Sequence, residues 1–193
     1  MEEELVRQII RQNAVTLKVR EKYFKEKDFK FIRDWLEKHN IDRHLSIDVK
    51  SAGILLLISN SNENNKVLVQ VRSSEKNRLG IFGGGIEGNE TPIECAIREL
   101  REETGMEVDE SQLEFLEINE HNLEYKNGDK VHYIAHIYIL RLNEYPFIKL
   151  DNESNGMISI SKENYKYFID VKDTNLLQLH KCWWKTVLTV LEI

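Results

Sequence analysis

Cysteine, proline, long apolar runs and clustered positive charge are all scarce in this chain, and each shortage removes a class of protein. Only Cys95 and Cys182 occur among 193 residues, never as a Cys-x-x-Cys pair. A disulfide scaffold is thereby excluded, and a zinc–thiolate site is not expected. Proline occurs only as Pro92 and Pro146, and neither an internal repeat nor a low-complexity segment is present. The longest strictly apolar run, Ile54 to Ile58, is far too short to span a bilayer. There is no dense Lys/Arg run and the formal net charge is −6. A nucleic-acid polymer is therefore not the expected partner. The opening Met-Glu-Glu-Glu is the opposite of the basic start of a signal peptide. A cytoplasmic protein without a membrane partner is the expectation.

What is there suits an ordinary soluble globular protein. Hydrophobic residues make up 41% and charged residues 31%, which fits a globular protein with a substantial core. An acidic chain can still hold a small phosphorylated ligand when a divalent cation stands between the two sets of negative charge.

Residues 1–48 differ in texture from the rest. Leu5, Ile9 and Ile10 suggest one amphipathic helix, and Phe29, Ile32, Trp35 and Leu36 a second, at spacings of three and four. This stretch reads as an N-terminal helical extension that packs on the main domain or forms a homodimer. Residues 49–193 read as the main domain. Ala52–Ser59 and Lys66–Arg72 are expected buried strands around the polar turn Asn60–Asn65. Leu113–His121 and Val131–Leu140 are expected strands joined through Asn127-Gly128-Asp129, with a short strand at Met157–Ile160 and a helix over Asn175–Leu191. The fold class is α+β, a mixed sheet sandwiched between helices.

The densest signals lie in residues 84–106, GGIEGNETPIECAIRELREETGM. Thr91 and Glu94 make a capping box, Pro92 suits the first helical position, and Gly105 suits the left-handed stop. Ile93, Ala96, Ile97 and Leu100 form one core-facing stripe. Glu99, Glu102 and Glu103 fall at i, i+3 and i+4, on an arc of roughly 100° away from that stripe. Such carboxylates repel one another, by a few tenths of a kcal/mol per pair. Oxygen ligands at this density are what Mg²⁺, or alternatively Mn²⁺, prefers. An isolated Glu-Glu pair on a helix is usually a solvated face; the whole pattern shifts the balance.

The segment resembles the Nudix box, G-x5-E-x7-R-E-U-x-E-E-x-G-U with U a bulky apolar residue. Gly84, Glu90, Arg98, Glu99, Leu100, Glu102, Glu103, Gly105 and Met106 all match at the correct spacing. At average residue frequencies, a chance match is rarer than about one in a million. The approach departs from the common Trp-x-Phe/Leu-Pro-Gly-Gly, reading Gly80-Ile81-Phe82-Gly83-Gly84-Gly85.

The resemblance implies a Nudix fold over residues 49–193 and hydrolysis of a phosphoanhydride bond by metal-assisted attack of water on phosphorus. The implied substrate is a small nucleotide-type diphosphate. It assigns Glu99, Glu102 and Glu103 to the metal, with the backbone of Gly84 and the loop acid Glu153 as further ligands. Glu99 is the first choice of general base, with Glu103 and Glu153 as alternatives. Arg98 is expected to hold the carboxylates in place, and Glu90 to tie loop to helix. Arg72, Phe82, Gly83 and Gly85 are the candidate substrate contacts. His132 and His136 share a strand face and are read as structural or solvated, and Trp183 and Trp184 as packing residues.

Three rival readings compete with the hydrolase. A nucleotide-sensing Nudix module would be expected to carry a degraded box, and this one is complete. An isomerase acting on an isoprenoid diphosphate would need a cysteine at the pocket. A purely structural interaction protein draws support only from residues 1–48.

Overall fold

Residues 52–58, AGILLLI, are apolar at every position, as a strand covered on both faces must be. Alternate side chains separate to opposite sides. Ala52, Ile54, Leu56 and Ile58 enter one apolar cluster, while Leu55 and Leu57 enter another. Two cores on the two faces of one sheet follow from this single segment.

The computed structural model describes residues 16–19, 34, 37–38, 44–59, 64–73, 78–124, 128, 130–169 and 176–192. Among these, nine strands form one sheet: β1 Thr16–Val19, β2 His44–Ile58, β3 Lys66–Arg72, β4 Arg78–Gly80, β5 Phe82–Gly85, β6 Leu113–Glu124, β7 Lys130–Leu142, β8 Ser154–Ser161 and β9 Gln178–Leu179. The main path runs β6-β7-β2-β3-β4-β9, with β1 and β5 also paired to β2 and β8 to β3. β2 runs parallel to β7, from Ser46 opposite Lys130 to Ile58 opposite Leu142. It is antiparallel to β3 and β5, so the sheet is mixed.

Helix α1, Pro92–Thr104, covers one face through Cys95, Ala96 and Leu100, and helix α2, Trp184–Glu192, covers the other through Val187, Val190 and Leu191. The expected α+β sandwich is the observed one. No described helix is long and apolar enough to cross a membrane.

Three local expectations are corrected. Thr16–Val19 lies within the stretch read as helical, yet it forms a parallel strand against His44–Ile47. Its Thr-Leu-Lys-Val alternates and is β-branched at both ends, which suits a strand. Asp34, Glu37 and Lys38 are helical and exposed. The apolar positions Leu5, Ile9, Ile10, Phe29, Ile32, Trp35 and Leu36 lie outside the described residues. The strand expected at Met157–Ile160 is eight residues long, because pairing with β3 extends it to Ser154, past a register shift at Val71/Arg72.

The helix expected over Asn175–Leu191 begins only at Trp184. Pairing with β4 claims the preceding residues. The Leu179 N–H donates to the Phe168 carbonyl and the His180 N–H to the Leu79 carbonyl. Leu179 is fully buried, and the gain from that burial outweighs a longer helix.

Candidate functional site

Local chemistry fixes α1 at both ends. The Thr91 hydroxyl accepts the Glu94 N–H at 3.4 Å, and the Glu94 carboxylate accepts the Thr91 N–H at 2.7 Å. Gly105 adopts the left-handed conformation at φ 72° and donates its N–H to the Arg101 carbonyl. The helix is thus held in register while its apolar stripe packs on the sheet, and its acidic arc faces the glycine strand β5.

Arg98 is the hub of that arc. Its Nε and Nη2 donate to the two oxygens of Glu90 at 3.1 and 2.8 Å, and Nη2 also donates to the Gly85 carbonyl at 3.1 Å. Nη1 donates to Glu99 at 2.7 Å and to Glu102 at 3.1 Å. Glu90 also accepts the Glu87 N–H at 2.6 Å. The Arg98 guanidinium holds the Glu90 carboxyl below its ordinary range. Glu90 therefore ties loop to helix, as expected from the sequence.

Glu103 points to another place. It is 3% exposed, and its Oε1 accepts from Gln70 Nε2 at 2.9 Å while its Oε2 accepts the Gly83 N–H at 2.7 Å. Burial pushes its carboxyl up to about 7 against these two donors, with the charges of Glu99 and Asp151 adding to the rise. Glu99 is also raised, chiefly by burial, with Glu102 and Glu153 contributing against the Arg98 hydrogen bond. Glu153 and Asp151 thus lie close enough for the helix carboxylates to feel them. The Glu102 side chain is 54% exposed.

Gly84 explains how Glu99 sits so close to the sheet. A Cβ on residue 84 would fall 2.3 Å from Glu99 Oε1, so only glycine permits that approach. The Gly84 carbonyl faces the Cys95 thiol at 3.6 Å.

Among the described residues, no three His, Cys, Asp or Glu side chains converge on one point. The donor set still suits a hard divalent cation: it is all oxygen, and positive charge would relieve the raised carboxylates Glu99 and Glu103. Arg98 supplies part of that charge in this arrangement.

Beyond the glycines a small cavity of about 80 Å³ is walled by Gly83, Gly84 and Arg72 among others. It shares Ser51, Arg72, Ala135 and Trp183 with a larger cavity of about 600 Å³. The larger walls add His121, Tyr133, His180 and Lys181, with no Asp or Glu. The His121 ring stacks on Tyr133 at 4.9 Å and 8°, and Trp183 meets His121 edge-on at 6.4 Å.

The match to a model of the NUDIX domain extends over residues 49–179. The chain belongs to the Nudix family.

Solved Nudix structures share the fold at low identity. The Escherichia coli dihydroneopterin triphosphate pyrophosphohydrolase is 16% identical, with a TM-score of 0.53 over 72% of this chain and 95% of that one. The NUDIX domain of Shewanella oneidensis NrtR, solved with ADP ribose, is 15% identical, with a TM-score of 0.53 over 75% and 84%. A Nudix hydrolase from M. smegmatis, RenU, is 20% identical, with a TM-score of 0.51 over 73% and 84%. No curated protein matches the chain.

Against the Nudix expectations, the structure places Arg72, Gly83 and Gly84 on the cavity walls. Phe82 is fully buried in the α1-side core and also lines the small cavity. The Gly85 carbonyl accepts from Arg98, and the Gly83 N–H donates to Glu103. Trp183 packs against the α2-side core, and it also borders both cavities. His132 lies between Asp48 at 3.3 Å and Glu120 at 3.2 Å, and His136 is likewise absent from the cavity walls.

Sequence reasoning missed Gln70, Ser154, Asp151, His121 and Tyr133. Gln70 alone carried a usable signal, as a neutral amide inside the apolar strand Lys-Val-Leu-Val-Gln-Val-Arg. The others became visible only through strand pairing.

Proposed function

We propose that this Nudix chain is a Mg²⁺- or Mn²⁺-dependent pyrophosphohydrolase that cleaves the phosphoanhydride bond of a small nucleotide-type diphosphate. The observation that carries the reading is the complete box helix, with Glu99 pressed against Gly84 at the wall of a small cavity that shares lining residues with a larger aromatic and basic one.

In this reading Glu99, Glu102 and Glu103 hold the metal, assisted by the Gly84 backbone and Glu153. The bound cation neutralises charge on the diphosphate oxygens. Arg98 orients Glu99 and Glu102 through Nη1. Glu99 is the favoured base. It adjoins the cavity wall at Gly84 and has one oxygen on Arg98, whereas both oxygens of Glu103 accept internal donors. Arg72 and Lys181 offer cations to a phosphate, and Tyr133, His121 and Trp183 offer ring surface to a planar group. Aromatic stacking with a polar rim is how nucleotide-sized ligands are oriented in pockets of this size.

Residues 1–48 either pack on the main domain or serve a homodimer, and concentration-dependent mass measurement of the full chain and of a variant lacking residues 1–48 separates the two. The activity is tested by phosphate release from nucleoside triphosphates, oxidised nucleotides, ADP-ribose, sugar nucleotides and dinucleoside polyphosphates, with and without Mg²⁺ or Mn²⁺. Metal-dependent release from one class is expected. A folded protein silent across the panel would overturn the hydrolase reading.

A further inference from the structure

Gln70 sits in the middle of β3 and is 2% exposed. Its side-chain amide is fully engaged. Nε2 donates to Glu103 Oε1 at 2.9 Å and to the Ile81 carbonyl at 3.0 Å, while Oε1 accepts from the Ser154 hydroxyl. Ser154 opens β8 and directly follows Glu153. One buried amide therefore touches the box helix, the glycine approach and the strand that carries the loop acid.

We propose that Gln70 is a positioning residue that sets the orientation of Glu103 and, through Ser154, the placement of the Glu153 loop relative to it. The role rests on the reading of Glu103 as a metal ligand. The physical argument is one of fixed donors. Glu103 has two carboxylate oxygens, and each receives one protein N–H, from Gln70 and from Gly83. With both in place the carboxylate plane is fixed by the sheet, not by the rotamer of a helix side chain. Turned over, the amide would set Oε1 against the Glu103 carboxylate and the Ile81 carbonyl, which are both acceptors, whereas the Ser154 hydroxyl can meet either end. The two acceptors thus select one amide orientation, and the Ser154 hydrogen bond ties that amide to the start of β8 beside Glu153.

The link across β8 gives the arrangement a consequence that a simple core glutamine would lack. The register shift between Val71 and Arg72 places Ser154 opposite Arg72, next to residues that line both cavities. A change at Ser154 therefore reaches Glu103 without touching α1.

The test uses the full chain with Gln70→Met, which conserves volume, and Ser154→Ala, which removes only the far link. Mn²⁺ binding is measured by electron paramagnetic resonance without substrate, alongside kcat, KM and thermal midpoint. Gln70→Met is expected to weaken Mn²⁺ binding about 10-fold or more and to lower kcat, with KM within about twofold of the parent. Ser154→Ala is expected to move the same quantities in the same direction by less, and the double variant to resemble Gln70→Met alone. If both variants only lower the thermal midpoint while folded protein keeps parental Mn²⁺ affinity and kcat, Gln70 is structural and the proposal falls. If the parent itself binds no Mn²⁺, the metal reading fails and the Gln70 role with it.

Discussion

The Glu103 carboxylate accepts the backbone N–H of Gly83 at 2.7 Å, a bond that exists because residue 83 is not the proline common at this place in the family. Proline would remove the donor and demand φ near −65°, whereas Gly83 stands at φ 138°. A Cβ there would come within 2.2 Å of the Ala52 carbonyl oxygen. Gly83→Ala is therefore expected to cost about 1–3 kcal/mol through backbone strain, read by urea denaturation. Gly83→Pro is expected to cost more, since Glu103 also loses a donor. An alanine variant as stable as the parent would refute the close approach of β5 to β2.

Glu102 and its neighbours separate stability from catalysis. The Glu102 side chain is half exposed and bonded only to Arg98 among the described contacts. Glu102→Gln is expected to shift stability by no more than about 0.5 kcal/mol, while turnover of the identified substrate falls by orders of magnitude. Parental turnover would remove Glu102 from the metal site.

Leu100 lies on the opposite face of the same helix and is fully buried. Leu100→Ala is expected to lower stability by about 2–5 kcal/mol through loss of transfer energy and an incompletely collapsed cavity. Activity per folded molecule should stay near the parental value, checked by assaying well below the thermal midpoint.

Arg98 joins Glu90, Glu99, Glu102 and the Gly85 carbonyl through a planar fork. Lysine carries a single compact charge and cannot span these acceptors. Arg98→Lys is expected to cost about 1–3 kcal/mol, measured by denaturant titration, and to reduce turnover because Glu99 loses its fixed partner. A lysine variant equal to the parent in both would show that charge alone suffices.

His121 gives a pH signature away from the carboxylates. Burial, then the neighbouring His180 and His132, holds its imidazole below the ordinary value of 6.5. As pH falls below that value the unfolded chain takes up a proton before the folded one does, so the folded state loses stability. The loss should begin near pH 6.5 and level off below the lowered folded pKa. His121→Phe preserves a ring against Tyr133 and removes the titration. Its stability should show a shallower decline through this window in thermal melts across pH. An unchanged slope would assign the effect to other groups.

The amino-acid sequence by itself determined the box helix and the two-sided sheet, because both rest on local rules. A capping box, a proline at the first turn, a glycine at the stop and a 3.6-residue apolar stripe are decided within fourteen residues or so of chain, and the continuous apolar strand 52–58 announces burial on both faces. The same spacing put Arg98 within reach of Glu102, one helical turn away. Tertiary structure alone decided the rest. That Phe82 packs in the α1-side core while bordering the small cavity depended on which face of β5 turned toward α1, a matter of strand register. The late start of α2 depended on backbone pairing of β9 with a strand about 100 residues earlier. Gln70, Ser154, His121 and Tyr133 became neighbours of consequence only when β3 met β8 and β6 met β7. Pairing between distant segments is set by the summed burial of the whole sheet, and no local window of sequence contains that sum.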